Sequence, residues 1–211
     1  MKQKDNQNQL FSTQNLIKMA LLSAIAFILM YVGSIKLPAL FPSFLEVDLS
    51  EVPAFIAILT VHPWAGVVVV VIKNLLKALT GSSSAYVGEL ANMMISIGYI
   101  LPLTLVISRG KDIKNVTMGI LLGILGIATV GGIVNYFITI PLYAQVFMPM
   151  EAIIEAGHVI NPAIVDLKTL IFYSIIPFNI FKGSIVSLAS IAFIKAIYPS
   201  LKYMMTKKAA R

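Results

Sequence analysis

The chain contains no cysteine. No disulfide framework can brace it, and no thiolate is available as nucleophile or metal ligand. Charge is scarce as well: 12% of its 211 residues are Asp, Glu, Lys or Arg, about half the share of a typical soluble domain. Histidine occurs only as His62 and His158, and neither belongs to a cluster with metal-ligand spacing. There is no nucleophile–base pair, no HExxH motif and no Walker A loop. Enzymatic chemistry therefore has nothing to stand on, and an ATP-driven process would need another subunit.

What is abundant is apolar. Hydrophobic residues make up 58% of the chain, and the mean hydropathy is +0.90. These values fit an all-α polytopic membrane protein embedded in a lipid bilayer. The longest stretch free for a soluble unit lies around residues 143–168, too short for a catalytic domain. The first apolar run, Met19 to Ile35, is long for a signal-peptide core and lacks a small-residue cleavage site. It is expected to remain as a helix.

The net charge of +7 would point to nucleic acid in a soluble protein. Its distribution points to a membrane instead. Basic residues gather at Lys2, Lys4 and Lys18, in Arg109-Gly110-Lys111-Asp112-Ile113-Lys114, and at Lys195, Lys202, Lys207, Lys208 and Arg211. Such clusters mark cytoplasmic flanks, and no nucleic-acid partner is expected. Apolar blocks fall at about 16–35, 52–79, 90–108, 115–142 and 169–198. Two cytoplasmic ends require an even number of crossings, so one block must be a hairpin. Splitting 115–142 would put the basic 109–114 loop outside. Splitting 52–79 at His62-Pro63-Trp64-Ala65-Gly66 keeps it inside and uses a ready turn. The expectation is six transmembrane helices over residues 16–200, between cytoplasmic tails 1–15 and 201–211.

This topology sends Glu46, Asp48, Glu51, Glu89, Glu151, Glu155 and Asp166 to the outer side. It also makes the outer connections long, Lys36 to Ser50 and Gln145 to Lys168, the second holding a helical piece from Met150 to Ala156. Long ordered connections often carry binding function. There is no convincing internal repeat.

Polar residues inside apolar runs are the candidate site. In Pro177-Phe178-Asn179-Ile180-Phe181-Lys182-Gly183, Asn179 and Lys182 share a helical face. Pro177 frees a backbone carbonyl and can kink the helix. A lysine at membrane depth costs about 2.5–3.5 kcal/mol on insertion scales, so it must face protein, a cavity or a ligand. Asn135, after Gly131-Gly132, adds an amide that could read the edge of a flat heterocycle. The alternatives are inter-helix hydrogen bonding for Asn135 and a salt bridge from Lys182 to Asp166 or Glu89. In the first outer loop Pro38 and Pro42 stiffen the chain, and Phe41 and Phe44 offer stacking faces for a lid. Lys73 and Lys77 share a face of the third helix, and a structural ion pair with Glu89 is expected across Gly81-Ser82-Ser83-Ser84, joined by Asn74 and Asn92. Ala20 and Ala24 form a small-xxx-small stripe on the first helix.

Together, several stretches resemble the riboflavin-specific S-components of energy-coupling factor (ECF) transporters. They are Val47-Asp48-Leu49-Ser50-Glu51-Val52-Pro53-Ala54, Ile72-Lys73-Asn74-Leu75-Leu76, Gly88-Glu89-Leu90-Ala91-Asn92, Asn135-Tyr136-Phe137 and the segment from Pro177 to Gly183. The resemblance spans roughly residues 16–200. It implies a substrate-binding subunit in a prokaryotic plasma membrane, with riboflavin as transported ligand rather than cofactor. It further implies a transmembrane coupling subunit and two ATPase subunits as partners. Under it Asn135, Asn179 and Lys182 become polar ligands of the flavin, and Ala20 and Ala24 the docking stripe for the coupling subunit. Ser43 and Asn92 are candidates for the ribityl hydroxyls. Where His62-Pro63-Trp64 stands the family leads one to expect a glycine-led turn. An S-component for another vitamin, or a membrane subunit outside transport, are the alternative readings.

Overall fold

The computed structural model describes residues 10–82 and 85–209, with side chains through residue 196. Lys2, Lys4, Lys202, Lys207, Lys208, Arg211, Ser83 and Ser84 from the sequence reading lie outside the residues so described. The molecule is an all-α polytopic membrane protein. Its helices are α1 (Thr13–Val32), α2 (Glu51–Thr60), α3 (Ala65–Leu79), α4 (Val87–Ile107), α5 (Ile113–Val146), α6 (Met150–His158) and α7 (167–209). Among the described residues, α1, α4, α5 and α7 are long and apolar enough to cross a bilayer.

The block at 52–79 is two helices, as the His62-Pro63-Trp64 break predicts. A helix advances about 1.5 Å per residue, so α2 with 10 residues and α3 with 15 are both short for a ~30 Å hydrocarbon core. Their turn is held at three points. The Trp64 amide donates to His62 Nδ1 at 3.2 Å. Thr104 of α4 donates to the Pro63 carbonyl at 3.0 Å, and Lys111 donates to the Leu59 carbonyl at 2.6 Å. That lysine satisfies an orphan carbonyl at the C-terminus of α2.

Polar side chains start the later helices where the sequence offers them. Asp112 accepts the Asn115 amide at 3.0 Å to open α5. Asp166 and Thr169 form a reciprocal capping box that opens α7. The expected helical piece in the second long connection is α6, two residues longer than the reading gave. One element is not helical: Ile35–Lys36 and Glu46–Val47 pair as an antiparallel ribbon, closing the intervening loop into a hairpin.

Two apolar cores result. The larger holds Phe55 and Ile58 of α2, Tyr99, Ile100 and Leu103 of α4, Ile127 of α5 and Val186 of α7. The smaller lies under α6 and joins Ile153 and Ile164 to Ile140 of α5 and to Leu170, Ile171 and Ile175 of α7. Between them sits a polar interior.

Candidate functional site: a polar cavity between two interrupted helices

Both α5 and α7 lose α-helical regularity at matching points. In α5 the chain widens into a π turn over Asn135–Thr139, and Pro141 follows. In α7 the π turn is Ile171–Ile175, and Pro177 follows. Proline has no N–H to donate and its ring clashes with the carbonyl of the preceding turn. A one-residue π bulge relieves that conflict without ending the helix. The kink expected at Pro177 is thus placed ahead of the proline, as a π turn.

The two asparagines are each tied to their own helix. Asn135 Nδ2 donates to the Gly131 carbonyl and Asn179 Nδ2 to the Ile175 carbonyl, each at 2.8 Å. Both side chains are buried. Anchoring one N–H leaves each amide an oxygen acceptor and a second N–H. The two residues meet across Gly131, where a Cβ would come within 2.6 Å of Asn179 Nδ2. Only glycine lets α5 and the Asn179 amide approach this closely.

Lys182, one turn further along α7, is buried and donates to Asp48 Oδ2 at 2.9 Å. Glu51 Oε1 is 3.8 Å away. Lys73 Nζ reaches Glu51 Oε1 at 2.9 Å and also bonds Ser50 Oγ. Ser96 donates to the same Glu51 oxygen at 2.6 Å. Two ammonium groups and two carboxylates form one buried cluster of zero net charge, which is how buried charge is tolerated. Burial opposes ionisation of Asp48, but Lys182, Lys73 and the Ser50 hydrogen bond hold its carboxyl below the ordinary carboxylate range.

The cluster borders a cavity of about 300 Å³. Asn135, Thr139 and Tyr143 of α5 line one side, and Phe178, Asn179 and Lys182 of α7 another. Phe44 of the hairpin loop, Glu46 of its second strand and Asp48 just after that strand lie on another side, and Lys77, Glu89 and Asn92 complete the wall. The volume falls in the range of small-molecule sites, and charged, amide and hydroxyl groups share the wall with apolar and aromatic side chains. Amide oxygens accept and a lysine donates. That is the complement of a flat ring bearing carbonyl and N–H groups along one edge.

A model of the substrate-specific component of ECF transporters matches residues 14–194. The chain belongs to this family. Among similar proteins, the riboflavin transporter RibU of Staphylococcus aureus (strain TCH60) is 33% identical over 190 residues, covering 90% of this chain and 93% of that protein. The riboflavin transporter FmnP of Bacillus subtilis (strain 168) is 34% identical over 185 residues, covering 86% and 91%. The solved S component of a bacterial ECF transporter superposes with a TM-score of 0.70 at 30% identity, covering 89% of this chain and 96% of that one.

In this S-component the residues singled out by sequence separate into groups. Asn135, Asn179, Lys182, Phe44 and Asn92 share the cavity wall. Phe41 does not line it. Its ring packs behind the wall, 5.2 Å from Phe178 and 5.7 Å from Phe181 between centroids. Ser43 is exposed at the loop tip and is likewise not on the wall. Ala20 and Ala24 are both exposed on α1.

Two pairings differ from expectation. Lys182 takes Asp48 and Glu51 rather than Asp166 or Glu89. Lys73 takes Glu51 rather than Glu89, which accepts the Ser82 hydroxyl at 2.7 Å. Lys77 sits over the Tyr31 ring, 4.3 Å from its centroid, a cation–π contact. The cause is the shortness of α2, which puts its N-terminus, and so Ser50 and Glu51, in the buried interior beside α3. Asp48, Ser50, Glu51 and Ser96 were therefore missed as parts of the site. The one available signal was the density of polar residues in Val47-Asp48-Leu49-Ser50-Glu51, directly before an apolar run.

Proposed function

We propose that this S-component captures riboflavin at the outer face of a bacterial plasma membrane and hands it to partner subunits for ATP-driven uptake. The observation that carries this reading is the convergence of Asn135, Asn179 and Lys182 on one cavity of flavin-compatible size, flanked by Phe44, Phe178 and Tyr143. The isoalloxazine ring is flat and largely apolar, with a carbonyl–N–H–carbonyl edge. The amide oxygens would take the N–H, and the Lys182 ammonium would donate to a carbonyl. The riboflavin transporters of S. aureus and B. subtilis among its relatives support the same substrate.

In this reading the chain crosses the membrane six times, with α2 and α3 as a short pair and both ends in the cytoplasm. The basic clusters support that orientation. The cavity then opens outward beneath the 37–45 loop. ATP hydrolysis belongs to two ATPase subunits, reached through a transmembrane coupling subunit docked on the Ala20 and Ala24 face of α1. The test is direct. Protein purified from riboflavin-containing cells should carry a flavin, seen as yellow colour and by mass spectrometry after denaturation. Protein that is colourless and silent in a riboflavin titration overturns the reading.

A further inference from the structure

Hydroxyl side chains in this protein's helices have a habit of finding an acceptor, Ser96 in Glu51 and Thr104 in the Pro63 carbonyl, and most often one in their own helix. Ser23, Thr60, Ser184, Ser187 and Ser190 each donate to the carbonyl four residues back, at 2.7–2.8 Å. This is a common way to satisfy a helical hydroxyl. Thr139 breaks the habit: its Oγ1 is buried and has no hydrogen-bond partner among the described residues. Thr139 is the last residue of the α5 π turn, where the Ile140 amide reaches back five residues to the Asn135 carbonyl. Its hydroxyl makes no such bond and is left unsatisfied. Thr139 also lines the cavity, four residues beyond Asn135. The wider i→i+5 winding of a π turn brings the two nearly one above the other on the cavity side. Threonine in a helix has two accessible χ1 wells, and changing between them exchanges hydroxyl and methyl.

We propose that Thr139 is a further ligand-contacting and specificity-determining residue, whose hydroxyl donates to a hydrogen-bond acceptor of the ligand beside the Asn135 amide. The inference rests on the riboflavin reading and deepens it. Ser174 provides the internal comparison. It lies in the α7 π turn, and its hydroxyl is likewise buried without a partner among the described residues, yet it is not on the cavity wall. Both orphaned hydroxyls thus sit in π turns. Being orphaned on the cavity wall is what makes Thr139 available to a ligand.

The test is the isosteric Thr139→Val beside Thr139→Ser, which keeps the hydroxyl and drops the methyl, with Ser174→Ala as control, titrated with riboflavin and melted in detergent without it. Thr139→Val should bind riboflavin about five- to tenfold more weakly, the size of one neutral hydrogen bond, while melting no lower than the parent because an unsatisfied hydroxyl has gone. Thr139→Ser should bind like the parent. Ser174→Ala should leave affinity unchanged. Titration with lumiflavin, which lacks the ribityl hydroxyls, then locates the acceptor. A loss that persists places it on the ring, and a loss that vanishes places it on the ribityl chain. If Thr139→Val binds like a riboflavin-binding parent, or melts lower and binds equally well, the inference is overturned while the riboflavin reading stands. If the parent itself does not bind riboflavin, it is that reading that fails.

Discussion

Helix α5 makes two close crossings, and they serve different ends. Where it meets α4, a Cβ on Gly126 would overlap the carbonyl oxygen of Gly98. The contact is backbone on backbone, and Ile100, Leu103 and Ile127 around it are apolar. Where α5 meets α7, the room beside Gly131 is filled by the Asn179 amide, and both helices are interrupted by π turns. The first crossing uses absent side chains to bring helices together. The second uses one to seat a polar group. An unbroken apolar crossing can hold the helices in register. With position fixed there, the cavity half can give up backbone regularity and present amides, a lysine and an unpaired hydroxyl.

The largest expected effect lies in the cavity half. Lys182→Met leaves Asp48 buried without its 2.9 Å partner and takes away the ammonium that lies 3.8 Å from Glu51. Removing one member of a buried pair costs about 3–5 kcal/mol, so the variant should melt well below the parent. Adding Asp48→Asn to the same chain removes the stranded charge and should restore much of the melting temperature. Flavin affinity should stay low in the double variant, since the Lys182 donor is gone. Recovery of both stability and affinity would reduce Lys182 to a structural ion, and an unchanged melt in the single variant would mean the pair holds nothing together.

The two crossings can then be compared by one substitution made twice. Gly126→Ala forces α4 and α5 apart and should lower stability by about 1–3 kcal/mol, the usual size of overpacking. Riboflavin affinity of the folded fraction should be nearly unchanged. Gly131→Ala pushes on the Asn179 amide instead, at 2.6 Å. It should lower affinity about tenfold, near the loss of one hydrogen bond, with the smaller change in melting temperature. Thermal melts and titrations on both variants check the pattern. If both lose affinity alike, the division between a framing crossing and a presenting crossing is wrong.

Much of this was legible in the chain. Asn135, Asn179 and Lys182 stand out because a polar residue inside an apolar run has few places to go. The split of 52–79 followed from charge parity and one His-Pro-Trp break. Other features were hidden for physical reasons. A π turn has no residue preference of its own, and Pro141 and Pro177 show only that something must yield. Lys73 was visible but its partner was not. Glu89 follows it across a short turn, whereas Glu51 reaches it because α2 begins in the buried interior beside α3. Phe41 and Ser43 sit in a loop without periodicity, so nothing in the sequence says which side chain turns inward. The identical fate of Asn135 and Asn179, each tied to its own helix four residues back, emerges only with the backbone in place.

The smallest effect on the isolated protein is expected outside both crossings, on α1. Ala20 and Ala24 are one turn apart and exposed, while Met19, Ser23 and Ala26 are the residues α1 buries. A large side chain at position 24 therefore stands away from the residues α1 buries, and Ala24→Trp should melt and bind riboflavin like the parent. In cells the same variant should fail to take up riboflavin if a coupling subunit docks on this face, because a smooth small-residue stripe permits close helix approach and tryptophan does not. Co-purification with the coupling and ATPase subunits, measured beside uptake, separates the outcomes. Normal uptake with normal assembly places docking elsewhere on the molecule. Lost binding in the isolated variant would instead tie α1 to the cavity, through Met30 and Tyr31 at its far end, and would show that the cavity half extends along a helix whose opposite end has so far looked free to meet a partner.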